Sequence, residues 1–219
     1  HTPENVAFQG KLAAYFADSV GSDFQKLASF PKYVPRQWLS GFLAREEIFR
    51  KVLDVQGTVI ECGVYMGAGL MTWAQLSAIL EPVNIQRKVI GFDTFSGFPE
   101  VHDNDRVGLS EFLSSGGLAA DSHADLLKCI ELYDSNRFLS HIPKVQLVKG
   151  DARQTIPKFV SDNPHLVISL LYLDFDLYEP TKIAIENFVP RMPKGGIIAF
   201  DELNDPYMPG ETTAVLEAL

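Results

Sequence analysis

The stretch Thr58-Val59-Ile60-Glu61-Cys62-Gly63-Val64-Tyr65-Met66-Gly67-Ala68-Gly69 decides the fold. It passes from a continuous apolar, β-branched run into glycines, and then into a helical pattern, Leu70 to Leu80. An unbroken apolar run, as opposed to alternation, is what a strand covered on both faces requires. The same texture recurs downstream. Apolar runs at Lys88 to Phe92, Val145 to Val148, Leu166 to Leu173 and Gly196 to Phe200 are interleaved with helical patterns, among them Leu126 to Phe138 and Lys182 to Phe188. This alternation predicts an α/β fold with a doubly wound, mostly parallel sheet. Upstream, Trp38, Leu39, Phe42, Leu43, Phe49, Val52 and Leu53 recur at three-to-four spacing. They predict an N-terminal helical segment over 1–56, ahead of a sheet domain at 57–219.

Composition sets the outer bounds. The chain has 219 residues, 46 % hydrophobic and 21 % charged, with a net charge of −9. That is the make-up of a folded domain and not of a disordered one. The acidic field repels phosphate backbones and anionic lipid, so neither nucleic acid nor membrane is an expected partner. No stretch reaches the ~20 apolar residues of a membrane span, and no basic-then-apolar leader is present in the first fifty residues. Two cysteines, Cys62 and Cys129, lie in apolar surroundings and read as reduced thiols of a cytoplasmic protein.

In a doubly wound sheet, ligands bind beyond the carboxyl ends of the strands, so the residues just after each run matter most. After the first run, Gly63 and Gly67 allow close approach of backbone to a ligand, but the spacing is not G-x-G-x-x-G. Glu61 suits a ligand carrying an ammonium group; a turn that merely allows tight packing is the bland alternative. Asp93, closing Gly91-Phe92-Asp93-Thr94-Phe95-Ser96-Gly97-Phe98-Pro99, offers two oxygens to a ribose diol or caps a turn. Asp151, in Lys149-Gly150-Asp151-Ala152, suits the exocyclic amine of an adenine, a helix N-cap, or both. The last two runs end in Asp174-Phe175-Asp176 and Asp201-Glu202-Leu203-Asn204-Asp205. Were those strands neighbours, Asp174, Asp201 and Glu202 would converge, and an all-oxygen set of that kind favours a hard cation such as Mg²⁺. A row of solvated N-caps is the alternative.

Four blocks occur in matching order: the glycine turn Glu61 to Gly69, Asp93-Thr94-Phe95-x-Gly97-Phe98-Pro99, Asp174-x-Asp176-Leu177-Tyr178, and Pro193-x-Gly195-Gly196 leading to Asp201-Glu202. With these the chain resembles the macrocin-type, metal-dependent S-adenosylmethionine O-methyltransferases, which methylate deoxysugar hydroxyls in antibiotic biosynthesis. It is most similar to the branch acting on nucleotide-linked 6-deoxyhexoses. The resemblance implies a class I methyltransferase fold, Rossmann-like, with S-adenosyl-L-methionine as donor. Glu61, Gly63, Tyr65 and Gly67 would hold the donor's methionine part. Asp93 and Thr94 would hold its ribose, and Asp151 and Ala152 its adenine. Asp174, Asp201 and Glu202 would bind Mg²⁺ or another hard divalent cation, and Asp176 would be the general base. An i, i+2 pair such as Asp174 and Asp176 shares one face while the strand stays extended. The chain departs from the family pattern at Glu202, where a second aspartate is expected, and at Leu173, where an arginine is expected. The family also adds two strands after the fifth, so a segment beyond Leu219 is expected.

A sugar or nucleotide-sugar acceptor and a homo-oligomeric assembly complete the expectation. The polar stretch Val101 to Asp125 reads as a substrate-covering lid, and Lys26, Lys32 and Arg36 as candidates to face a diphosphate. A catechol-type phenol O-methyltransferase is the nearest competing reading. A non-catalytic metabolite-binding domain is a second, and an NAD oxidoreductase, against which the glycine spacing argues, is a third.

Overall fold

The computed structural model describes residues 3–219. His1 and Thr2, the first residues of the expected N-terminal segment, lie outside the described residues. The chain divides into two compact units, the boundary falling after Ala44.

The first unit carries α1 (Pro3–Asp18), α2 (Asp23–Ala28) and the start of α3 (Arg36–Lys51). Ser22 caps α2 in a reciprocal box with Gln25. The Lys26 ammonium is buried and donates to the Phe16 carbonyl at 2.6 Å, closing the end of α1. Lys32 donates to the Tyr33 hydroxyl at 3.2 Å. Both lysines are thus engaged within their own unit.

The second unit is a five-stranded parallel sheet in the order β3-β2-β1-β4-β5. Its strands are β1 (Thr58–Cys62), β2 (Val89–Asp93), β3 (Val145–Lys149), β4 (Ile168–Leu173) and β5 (Ile197–Phe200). The crossovers contain α4 (Ala68–Leu80), α5 (His123–Asn136), α6 (Ala152–Asp162) and α7 (Tyr178–Phe188), and α8 (Pro209–Ala218) follows β5. Every residue of β1 and β4 is buried, as unbroken apolar runs require.

Alternation along the strands sorts the core into two layers. Val59, Val89, Leu170 and Tyr172 pack with Phe49 of α3 and Leu70 and Trp73 of α4. Ile60, Ile90, Phe92, Leu171 and Leu173 pack with Ile156 and Phe159 of α6 and Phe188 of α7. At the amino end of the sheet, buried Arg87 donates to the carbonyls of Gly57, Val52 and Val55 and pairs with Glu81 at 2.6 Å. That satisfies the loose backbone at the end of α3. No helix among the described residues is long and apolar enough to cross a membrane.

Candidate active site

The chain winds outward from β1 to β2 and β3 on one side, and through β4 to β5 on the other. The reversal lies between β1 and β4, where a crevice opens at the carboxyl ends. There the Asp174 amide donates to the Cys62 carbonyl at 2.8 Å. Gly63 adopts φ +91, and a Cβ on it would stand 1.8 Å from the Asp174 carbonyl oxygen. The two strand ends approach this closely only because Gly63 has no side chain.

A cleft of about 750 Å³, including space open to solvent, occupies this end of the sheet. Gly63, Tyr65, Asp93, Thr94, Asp151 and Ala152 line it. Asp174 and Asp176 line the same cleft. The structure therefore brings most of the residues expected to hold a donor together with two of the strand-end carboxylates. Glu61, Gly67, Asp201 and Glu202 are not among the lining residues. Gly67 is the N-cap residue of α4.

Glu61 follows Val59 by two residues and so faces the α4 layer. Its carboxylate lies 2.5 Å from where a Cβ on Gly69 would be. It is 2 % exposed, and its Oε2 has no hydrogen-bond partner. Burial pushes its pKa up to about 8, while Arg45 and Trp73 pull the other way.

Asp93 is already engaged by backbone. One oxygen accepts from the amides of Val64 and Tyr65 at 2.7 and 2.8 Å, and the other from Phe95 at 2.6 Å. The last residue of β2 thereby fixes the glycine turn after β1. Asp151 caps α6 by accepting from the Arg153 amide at 2.9 Å. Burial raises its pKa, but the Arg153 hydrogen bonds outweigh burial and hold the carboxyl below its usual range.

The acidic strand ends meet as expected of adjacent strands. β5 pairs with β4, and the Asp201 amide donates to the Leu173 carbonyl at 3.0 Å. Burial, then the charges of Asp201 and Asp176, hold the Asp174 carboxyl well above its ordinary range. Burial, Asp201 and Asp205 push Asp176 up to about 7. Burial, the Asp205 hydrogen bond and Asp176 push Glu202 up to about 7. The extended geometry assumed for Asp174 and Asp176 does not hold. β4 ends at Leu173, and Asp176 sits at φ +61, a left-handed conformation that costs a non-glycine residue about 1–2 kcal/mol. Strain of this kind is characteristic of functional positions.

Three neighbours escaped the sequence reading. Glu211, fully buried in α8, accepts from the Glu202 amide at 2.9 Å, and its Oε1 has no partner. Burial pushes it up to about 8, with Asp176 and Asp201 adding to the effect. Tyr172 lies two residues before Asp174, and its hydroxyl donates to Asp201 at 2.5 Å. Arg45 in turn donates to the Tyr172 oxygen at 3.2 Å, its guanidinium 4.8 Å from the ring centroid. The i−2 spacing was the one available signal for Tyr172; nothing in the sequence marks Glu211.

This set of oxygen donors, mutually repelling and partly unpartnered, has the chemistry that a hard divalent cation neutralises. As the side chains stand, no three acidic, histidine or cysteine residues among the described residues are close enough to enclose an ion.

The segment between β2 and α5 closes the cleft from the side, with Gly117 and Leu118 in the lining. It is well tethered. Buried Asp105 accepts from the amides of Tyr178 at 2.8 Å and His102 at 3.0 Å. Leu109 and Ser110 donate to the carbonyls of Pro206 and Tyr207. The Ser122 hydroxyl donates to the Tyr65 carbonyl.

Comparison with known proteins gives a consistent picture. The family described as Macrocin-O-methyltransferase (TylF) matches residues 43–207. The crystal structure of CalS11, calicheamicin methyltransferase, superposes with a TM-score of 0.95 at 37 % identity, covering 100 % of this chain and 86 % of that one. An apo structure of CalS11, described as a TDP-rhamnose 3'-O-methyltransferase of calicheamicin biosynthesis, gives 0.85 at 34 % identity, with 100 % and 87 % coverage. An 8-demethyl-8-(2,3-dimethoxy-alpha-L-rhamnosyl)-tetracenomycin-C 4'-O-methyltransferase of Streptomyces olivaceus is 28 % identical over 161 residues, 68 % of this chain and 53 % of that protein. The chain thus spans about half the length of that curated relative.

Proposed function

Because this chain belongs to the macrocin O-methyltransferase family, we propose that it transfers a methyl group from S-adenosyl-L-methionine to a hydroxyl of a deoxysugar, in nucleotide-linked form, within natural-product biosynthesis. One observation carries the reading: Asp174 and Asp176 share a single cleft with Gly63, Asp93 and Asp151. A cleft that joins a diol-binding carboxylate and a glycine turn to a pair of acidic strand ends suits a nucleoside-bearing donor beside a hydroxyl acceptor.

The reaction is an in-line displacement. The methyl carbon leaves sulfur and bonds to the acceptor oxygen, the hydroxyl proton passes to a base, and sulfur departs as a neutral thioether. No acid is needed for the leaving group. The difficult partner is the sugar hydroxyl, a very weak acid. Asp176 is the proposed base, since it faces the cleft beyond the end of β4. Gly63 and Tyr65 hold the methionine part, Asp93 and Thr94 the ribose, and Asp151 and Ala152 the adenine. Glu61 and Gly67 support the turn from behind. Asp174, Asp201 and Glu202 are the proposed ligands of Mg²⁺ or another hard divalent cation, supported by their donor chemistry. When bound, such an ion supplies positive charge that lowers the pKa of the hydroxyl. Positioning by the cleft supplies much of the remaining acceleration. The unpaired thiols Cys62 and Cys129 support a cytoplasmic setting.

The test is transfer of isotopically labelled methyl from S-adenosylmethionine to a panel of nucleotide-linked 6-deoxyhexoses and catechols, with and without Mg²⁺. Label on a sugar hydroxyl, lost with a chelator, is expected. Asp176→Asn is expected to lower kcat about 10²–10⁴-fold while leaving S-adenosylhomocysteine affinity unchanged. Label on catechols alone would replace the sugar reading, and no transfer to any acceptor would leave a binding domain.

A further inference from the structure

We propose that Arg153 is a positioning residue for the methyl donor: it fixes the Asp151 carboxylate in the one orientation that reads the amino group of adenine, and ties Glu100 and the start of α7 to the same corner of the cleft. The proposal rests on the donor reading of the cleft.

The geometry is specific. The Arg153 Nε donates to both Asp151 oxygens, at 3.1 and 2.9 Å, and one terminal nitrogen to Oδ2 at 2.7 Å. The Arg153 amide occupies Oδ1 at 2.9 Å. A carboxylate has about four acceptor positions. Three N–H donors make those four contacts, the Nε–H being shared between both oxygens, and an exocyclic amine in the cleft that Asp151 lines would take the position this shared bond leaves open. The fork of the guanidinium fixes the plane of the carboxylate in a way that a point charge does not.

The remaining terminal nitrogen reaches Glu100, in the segment between β2 and α5, at 2.8 Å and Glu179 in the first turn of α7 at 3.1 Å. One cation thus joins residues from three parts of the chain, and all four side chains line the same cleft. Glu100 is 69 % exposed and Glu179 42 % exposed. Ion pairs that exposed contribute little to stability. The pairs nevertheless bring Glu100 and the first turn of α7 to the residue that holds Asp151.

The experiment is titration calorimetry with two probes, S-adenosylhomocysteine and its deaminated analogue S-inosylhomocysteine, which lacks the amino group. Wild type is expected to prefer the adenosyl compound. Arg153→Ala is expected to weaken S-adenosylhomocysteine binding about ten- to a hundredfold, the range of one hydrogen bond to a charged group. Binding of the inosyl compound should change far less, so that the preference collapses. Arg153→Lys, which keeps the charge without the fork and is the milder change for folding, is expected to lie between. Equal weakening of both probes would mark Arg153 as merely structural and overturn the proposal, as would an unchanged preference in both variants. Wild type that binds both probes equally would overturn it too, while leaving the donor site intact. Wild type that binds neither would fail the donor reading itself.

Discussion

Replacing Glu61 by glutamine should stabilise the protein, by an amount that grows with pH. Glu61 is buried, one of its oxygens lacks a partner, and its pKa is pushed from 4.5 up to about 8 by burial. Between those two values the folded chain holds a proton that the unfolded chain has released. The stabilising protonated state is fully present below 4.5, and the advantage drains away as pH rises through about 8. Each pH unit in that window costs about 1.4 kcal/mol. Glutamine does not titrate, so Glu61→Gln lacks this slope. The stability difference between variant and wild type should widen by about 2 kcal/mol from about pH 5.5 to about pH 7, and flatten above about pH 8. Hydrogen bonds lost or gained by the amide shift the difference by a constant and leave the slope alone. The neighbouring carboxylates tilt both proteins alike and largely cancel. Urea unfolding of both proteins at several pH values, with slopes shown to be equal, measures it. A difference that stays flat across the range would refute the reasoning, because Glu61 would then be charged in the fold at ordinary pH.

Two further outcomes follow from the strand ends. Gly63→Ala should lower Tm by at least about 5 °C, since a methyl group must displace the Asp174 backbone carbonyl and accept a left-handed φ; it should also weaken S-adenosylhomocysteine binding, and calorimetry of both kinds checks it. Tyr172→Phe should weaken Mn²⁺ binding about ten- to a hundredfold by removing the hydroxyl that orients Asp201, with S-adenosylhomocysteine affinity unchanged; paramagnetic resonance of free Mn²⁺ reads it, and unchanged affinity would sink the idea.

The sheet was legible because a parallel strand covered on both faces writes itself as an unbroken apolar run. Thr58 to Cys62 matches β1 residue for residue, and Lys88 to Phe92 differs from β2 by one position. Right-handed crossovers narrowed the topology to a doubly wound sheet, while the meeting of Asp174 and Asp201 stayed conditional on their strands being neighbours, which β4 and β5 are. Side-chain allegiances were less legible. Asp93 stands where a ribose-binding carboxylate was expected, yet its three contacts are backbone amides, which no residue type announces. Glu61 was named for the donor, and strand alternation places it on the Trp73 side, outside the residues that line the cleft. Asp176 looked like one more extended residue, and its left-handed φ depends on how the chain leaves β4 for α7. Arg153 carried no signal in the sequence, since Glu100, Asp151 and Glu179, the carboxylates it joins, lie far from one another along the chain.

The hydrogen bonds from Leu109 and Ser110 to Pro206 and Tyr207, with Asp105 seated on Tyr178, make one mechanical piece of the segment after β2, the segment after β5 and the start of α7. A molecule leaving past the first segment must break those bonds or carry the second along with it. Any motion that opens the first segment is thereby geared to the chain that bears the acidic cluster.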